Sequence, residues 1–161
     1  MKTLIVYASK HGCAKQAAEK LGEAMEKDAA VLDVRNVTRI DLDDYEKVII
    51  GGSIRAGKIQ GQIKSFAQKF MNQLLAKKIG LFICHMESDP EKAMQELTAN
   101  FPQPLVDHAT AKGLFGGEFD MDKMNFIERF IIRKVAHVTE SVSNINEENI
   151  EKFIALMKDS E

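Results

Sequence analysis

The chain has 161 residues, 45% of them hydrophobic and 29% charged, enough for one domain with a substantial buried core. Its 22 basic and 24 acidic side chains leave a formal charge of -2, so no global field recruits nucleic acid and any functional charge must be local. Cys13 and Cys84 stand far apart and match no zinc spacing, which reads as reduced thiols without a disulfide framework, and no stretch approaches the ~18 apolar residues of a spanning helix. The expectation is a cytoplasmic protein with a single domain over 1–161.

Residues 2–8 are apolar and too short for a helix, which predicts a strand buried on both faces. The run then breaks at Ser9-Lys10-His11-Gly12-Cys13-Ala14. From Gly12 to Lys27, Ala14, Ala17, Ala18, Leu21 and Met25 recur at helical spacing. A helix start leaves its first N–H groups without intrahelical partners and carries partial positive charge, so this strand-loop-helix suits an oxyanion such as phosphate. Ser9 adds a hydroxyl, Lys10 and His11 add cationic donors, and Gly12 lets the backbone bend close. Neither the Walker pattern nor the dinucleotide G-x-G-x-x-G is present, and a plain turn in which Ser9 caps the helix is the alternative.

Ala30–Val34 predicts a second strand, and Arg39–Tyr45 an acidic connection. Lys47–Ser53 repeats the opening pattern of charged entry, β-branched core and abrupt small residues, and leads into a loop from Ser53 to Gly61. Ile63, Phe66, Phe70 and Leu74 then mark a helix to about Lys77. Lys78–Cys84 is a further strand, followed by Asp89, Pro90 and Glu91, good chemistry for a helix start; that helix runs to about Asn100 and ends before Pro102 and Pro104. Ala111–Phe119 predicts the last strand, Asp120–His137 a helix, and 147–158 a closing amphipathic helix. Alternating strands and helices imply an α/β fold with a parallel sheet, whose ligands bind beyond the carboxyl ends of the strands. Three loops should converge there: 9–14, 53–61 and 84–90.

This arrangement resembles the flavodoxin-like fold, a five-stranded parallel sheet of order 2-1-3-4-5 with helices on both faces. The run Val48-Ile49-Ile50-Gly51-Gly52-Ser53-Ile54-Arg55-Ala56-Gly57 resembles the G-x-S-I-R-x-G segment of the menaquinone-dependent protoporphyrinogen oxidase family. The opening Met1–Ile5 and the segment Phe126–Lys134 match that family too. The resemblance implies flavin mononucleotide, its phosphate held by Ser9, Lys10, His11, Gly12, Cys13 and Ala14. Its ring would lie between Ser53, Ile54, Arg55, Ala56, Gly57, Lys58 and Cys84, His85, Met86. Flavodoxin loops commonly offer hydroxyls at the positions held here by His11 and Ala14, and there is no Trp to sandwich the ring, so Ile54, Arg55, His85 and Met86 are the neighbours on offer.

A redox enzyme on this pattern passes electrons from an apolar anionic reductant through flavin to a quinone or other small-molecule acceptor. An electron shuttle serving redox proteins is the alternative. Arg55 could hold a carboxylate by two parallel bonds, with Lys58 beside it and His85 able to donate or titrate. Cys13 and Cys84 read mainly as packing residues. Lys123, Arg129, Arg133 and Lys134 against Glu128, beside Phe126 and Phe130, give residues 123–138 the pattern of a peripheral contact with the inner membrane face or an apolar anion; packing on the last helix explains it equally.

Overall fold

A computed structural model describes residues 2–9, 12–25, 29–37, 41–117 and 145–158. The first strand, β1 (Thr3–Tyr7), is buried throughout. Helix α1 (Cys13–Ala24) follows, then β2 (Ala30–Asp33), β3 (Lys47–Ser53), helices α2 (Gly61–Lys69) and α3 (Met71–Leu74), β4 (Lys78–Cys84), α4 (Pro90–Asn100), α5 (Gln103–His108), β5 (Ala111–Leu114) and α6 (Glu147–Lys158). All neighbouring strands are parallel, in the order β2-β1-β3-β4-β5.

The two-residue period of each strand sends alternate side chains to opposite faces, and the sheet is buried on both. Leu4, Val6, Val48, Ile50, Leu81 and Ile83 face one core, closed by Ile63 and Phe66 of α2, Leu74 of α3, Leu97 of α4 and Leu105 of α5. Ile5, Tyr7, Ile49, Phe82 and Cys84 face the other, closed by Ala14, Ala17 and Leu21 of α1 and by Phe153 and Met157 of α6. Three rings anchor this second core: Phe82 stacks on Phe115 at 5.0 Å, and Phe153 meets both edge-on. Each such pair adds about 0.5–1.5 kcal/mol beyond area burial. Gly51 makes room for the stack, since a Cβ there would come within 2.2 Å of the Phe82 ring.

Element boundaries depart from the sequence expectation in four places. Helix α1 stops at Ala24 because Met25 turns extended (ψ 178). The helix expected to run to Lys77 breaks at Phe70 (φ -104, ψ 15) into α2 and α3. Pro104, expected only to end a helix, also sits in the first turn of α5, where its missing N–H is harmless. Strand β5 ends at Leu114, not Phe119, because Gly116 (φ 61) and Gly117 (φ 80) take left-handed conformations and turn the chain. The helix expected over 120–137, with the proposed contact surface 123–138, lies outside the described residues. No described helix is long and apolar enough to cross a membrane.

Candidate functional site

Parallel pairing sets all five strands with their carboxyl ends on one edge, and the register fixes which loops meet there. Tyr7 pairs with Gly51, and Ser53 pairs with Cys84. The pairing runs one step past the strands: Ala8 N–H donates to Gly51 O at 3.1 Å and Ile54 N–H to Cys84 O at 2.8 Å. The three loops expected at the site therefore leave adjacent strands in the centre of the sheet, where β1 is flanked by β2 and β3 and the strand order reverses.

In the first loop, Ser9 Oγ accepts the Gly12 N–H at 2.9 Å, and Gly12 (φ 91) starts α1 in a left-handed conformation. The serine thus builds the turn that precedes the helix but does not cap it, since Gly12 is the N-cap and no side chain caps α1. Cys13 and Ala14 are buried, so what they offer a phosphate is their backbone at the helix start. Lys10 and His11 lie outside the described residues.

The second loop is a tight hairpin. Arg55 N–H donates to Lys58 O at 2.9 Å and Lys58 N–H returns to Arg55 O at 3.0 Å. Ala56 (φ 51) and Gly57 (φ 76) are both left-handed, the pattern of a type I′ turn. Lys58, Ala56 and Gly57 are exposed and Arg55 is partly so. Ile54, expected as a ring neighbour, is instead buried in the core, because it sits one residue beyond β3 and its backbone still pairs with β4. Two residues not named as ligand contacts hold this loop, Gln60 from within it and Asn100 from the end of α4. Buried Asn100 accepts the Ile59 N–H at 3.1 Å and donates to Gly57 O at 2.9 Å and Glu96 O at 2.7 Å, while Gln60 Oε1 accepts the Ser53 N–H at 3.0 Å. Asn100 reads from the sequence only as a helix end; a polar residue at a position that should cap nothing was the available signal.

In the third loop, His85 Nδ1 lies 2.8 Å from Glu87 O. A carbonyl only accepts, so Nδ1 carries the proton, and in the neutral ring Nε2 is an acceptor. Burial pushes the His85 pKa below its ordinary value, with the Glu87 carbonyl and carboxylate opposing this. Nε2 has no hydrogen-bond partner among the described residues, nor has Ser53 Oγ, which is buried at the end of the neighbouring strand. Buried polar atoms normally find partners, so two orphans on neighbouring loops are a sign of an intended ligand. Met86 is 51% exposed. His85 and Met86 line a cavity of about 320 Å³ together with Glu87, Gly116, Asn146 and Asn149; Ser53–Lys58 do not line it. The described residues contain no group of three or more His, Cys, Asp or Glu able to hold a metal.

A helix start with a left-handed glycine, two orphaned polar atoms at strand ends and an exposed polar hairpin fit a phosphorylated heteroaromatic ligand of the flavin mononucleotide kind. The flavodoxin domain family matches residues 4–146. The chain is 22% identical over 155 residues to protoporphyrinogen IX dehydrogenase (quinone) of Escherichia coli strain K12, covering 92% of this chain and 86% of that one. Among solved structures it resembles oxidised flavodoxin 1 from Bacillus cereus, with a TM-score of 0.55, 16% identity and coverage of 98% and 95% of the two chains. It also resembles a Fusobacterium nucleatum flavodoxin bound to flavin mononucleotide, with a TM-score of 0.51, 13% identity and coverage of 78% and 74%.

Proposed function

Because this chain belongs to the flavodoxin domain family, we propose that it is a redox protein that binds flavin mononucleotide at the carboxyl edge of its sheet and works as an oxidoreductase. The observation that carries the reading is the presence of two orphaned polar atoms, Ser53 Oγ at the end of β3 and His85 Nε2 just after β4, at the sheet edge where α1 starts from a left-handed glycine. In this reading the phosphate rests on the N–H groups of Gly12–Ala14 with the Ser9 hydroxyl, and Lys10 and His11 add charge. The ring lies near Ser53, Arg55, Ala56, Gly57, Lys58, His85 and Met86, with Ile54 and Cys84 contributing backbone. Bound flavin supplies electron transfer, and the protein orients and tunes it. Neutral His85 presents an acceptor at Nε2 and is suited to take a hydrogen bond from a ligand N–H or O–H. Arg55 and Lys58 give the hairpin a local positive charge that suits an anionic reductant.

The Escherichia coli relative supports a reductant of the porphyrinogen class and a quinone acceptor. A second reading, a shuttle serving redox proteins, is favoured by exposed Met86, an apolar contact point on a loop at the site. Anaerobic titration with flavin mononucleotide, followed by protoporphyrinogen and a quinone analogue, separates these readings. Reduction of the bound flavin by the porphyrinogen is the expected result. Reduction only by a partner reductase would favour the shuttle, and no flavin binding would remove both.

A further inference from the structure

Cys13 and Cys84 are the buried reactive groups that the flavin reading leaves without a chemical role. Cys13 is the first residue of α1 and Cys84 the last of β4, and folding brings their sulfurs, 71 positions apart in sequence, to 2.7 Å. A covalent bond at about 2.05 Å needs only a small further approach. The turn after β5 closes over the pair: Cys13 Sγ lies 3.4 Å from Gly116 O, and a Cβ on Gly117 would come within 2.7 Å of that sulfur. No third ligand for a metal accompanies them among the described residues. Packing alone explains a buried cysteine, but it does not require two thiols from distant segments to meet sulfur to sulfur.

We propose that Cys13 and Cys84 are a reversible dithiol–disulfide couple that exchanges with low-molecular-weight disulfides. Cys13 is the entry point, being 4% exposed where Cys84 is fully buried. Its thiolate attacks one sulfur of a disulfide R–S–S–R; that S–S bond breaks, a Cys13–S–S–R bond forms, and the first RS⁻ leaves and takes up the proton Cys13 released. The Cys84 thiolate then attacks the Cys13 sulfur and expels the second RS⁻, which takes up the Cys84 proton. The protein loses two electrons and two protons, and the small disulfide gains both as two RSH. The new bond ties the start of α1 to the end of β4, and so joins the loop 9–14 to the loop 84–90.

The test incubates the reduced full chain with 2-hydroxyethyl disulfide and 2-mercaptoethanol over a range of ratios, quenches in acid and reads intact mass and linked peptides. The expected result is loss of two hydrogen masses, a peptide pair joining Cys13 to Cys84, and return to the dithiol when reductant is added. At a fixed ratio the folded chain should hold the bond at a dithiol-to-disulfide equilibrium shifted about tenfold or more relative to the same chain in urea, because folding raises the effective concentration of one thiol at the other. Cys13→Ser and Cys84→Ala should each show at most an adduct on the remaining thiol. An unreacted folded chain, single adducts that never resolve to the internal bond, or no advantage of folded over unfolded chain would overturn the proposal. Neither the reaction nor its readout involves flavin, so failure here leaves the proposed function standing.

Discussion

Ser53 and Cys84 are register partners at the carboxyl ends of β3 and β4. That pairing sets the hairpin after β3 beside the histidine loop after β4, and the Ser53 hydroxyl at this strand end is buried with no hydrogen-bond partner among the described residues. A site assembled by strand register can be probed one loop at a time.

Gly12 tests the first loop. A Cβ there would meet no atom within 4 Å, so Gly12→Ala acts through backbone conformation and not through a clash. Its φ of 91 is in the left-handed region, which costs an alanine about 1–2 kcal/mol. The variant is expected to lose about that much stability in urea unfolding and to bind flavin mononucleotide more weakly, with Gly12→Asn milder in both because Asn tolerates this region. Wild-type affinity in Gly12→Ala would remove the loop from the phosphate site.

Asn100 tests the second loop from behind. Asn100→Ala removes one acceptor and one donor that hold Ile59 and Gly57, leaving their polar groups unpaired at a cost of about 1–3 kcal/mol. Flavin affinity should fall as the hairpin loosens, although Asn100 touches no ligand in this reading. Calorimetric unfolding together with a fluorescence titration reads both effects; lost stability with unchanged affinity would separate the hairpin from binding.

Ala56 tests the same hairpin from its tip. A type I′ turn favours Asn-Gly, and here the pair is Ala56-Gly57 with Ala56 at φ 51. Ala56→Asn is expected to raise stability by about 0.5–1 kcal/mol, since Asn accepts the left-handed conformation more readily. A lower urea midpoint in this variant would contradict the turn assignment.

His85 gives the protein a pH dependence with a definite sign. Burial lowers its folded-state pKa below the ordinary 6.5. Below that ordinary value the unfolded chain binds the proton more readily than the folded one, so stability falls as the pH drops through 6.5 and on toward the lower folded-state value. Above it, His85 is neutral in both states and contributes no slope. Urea midpoints of wild type and His85→Gln, followed from neutral into acid, should diverge, with the wild type losing more; parallel curves would show that His85 is not the group responsible.

The parallel sheet was legible because apolar runs of strand length alternate with amphipathic segments, and local pattern is what a parallel α/β fold reads from, while its strand order came from the resemblance to the flavodoxin-like fold. The ends of elements were less legible. Met25, Phe70 and Gly116 break helices and a strand through backbone angles that no periodicity reports. Residues of the three loops could be named because small and polar residues follow each strand abruptly, but which side chains face outward could not: Ile54 was expected at the ring and is buried in the core.

By itself, then, the sequence determined the fold class, the edge where a ligand should sit and the residue types at the start of α1, since these follow from hydrophobic period and helix-terminus chemistry. Only the tertiary structure decided that Asn100 and Gln60 brace the hairpin, that His85 carries its proton on Nδ1, and that Cys13 and Cys84 meet at 2.7 Å. The contacts of Asn100 and of the two cysteines join residues far apart in the chain and are set by how strands register and helices pack, while those of Gln60 and His85 depend on loop conformations that a linear pattern does not encode.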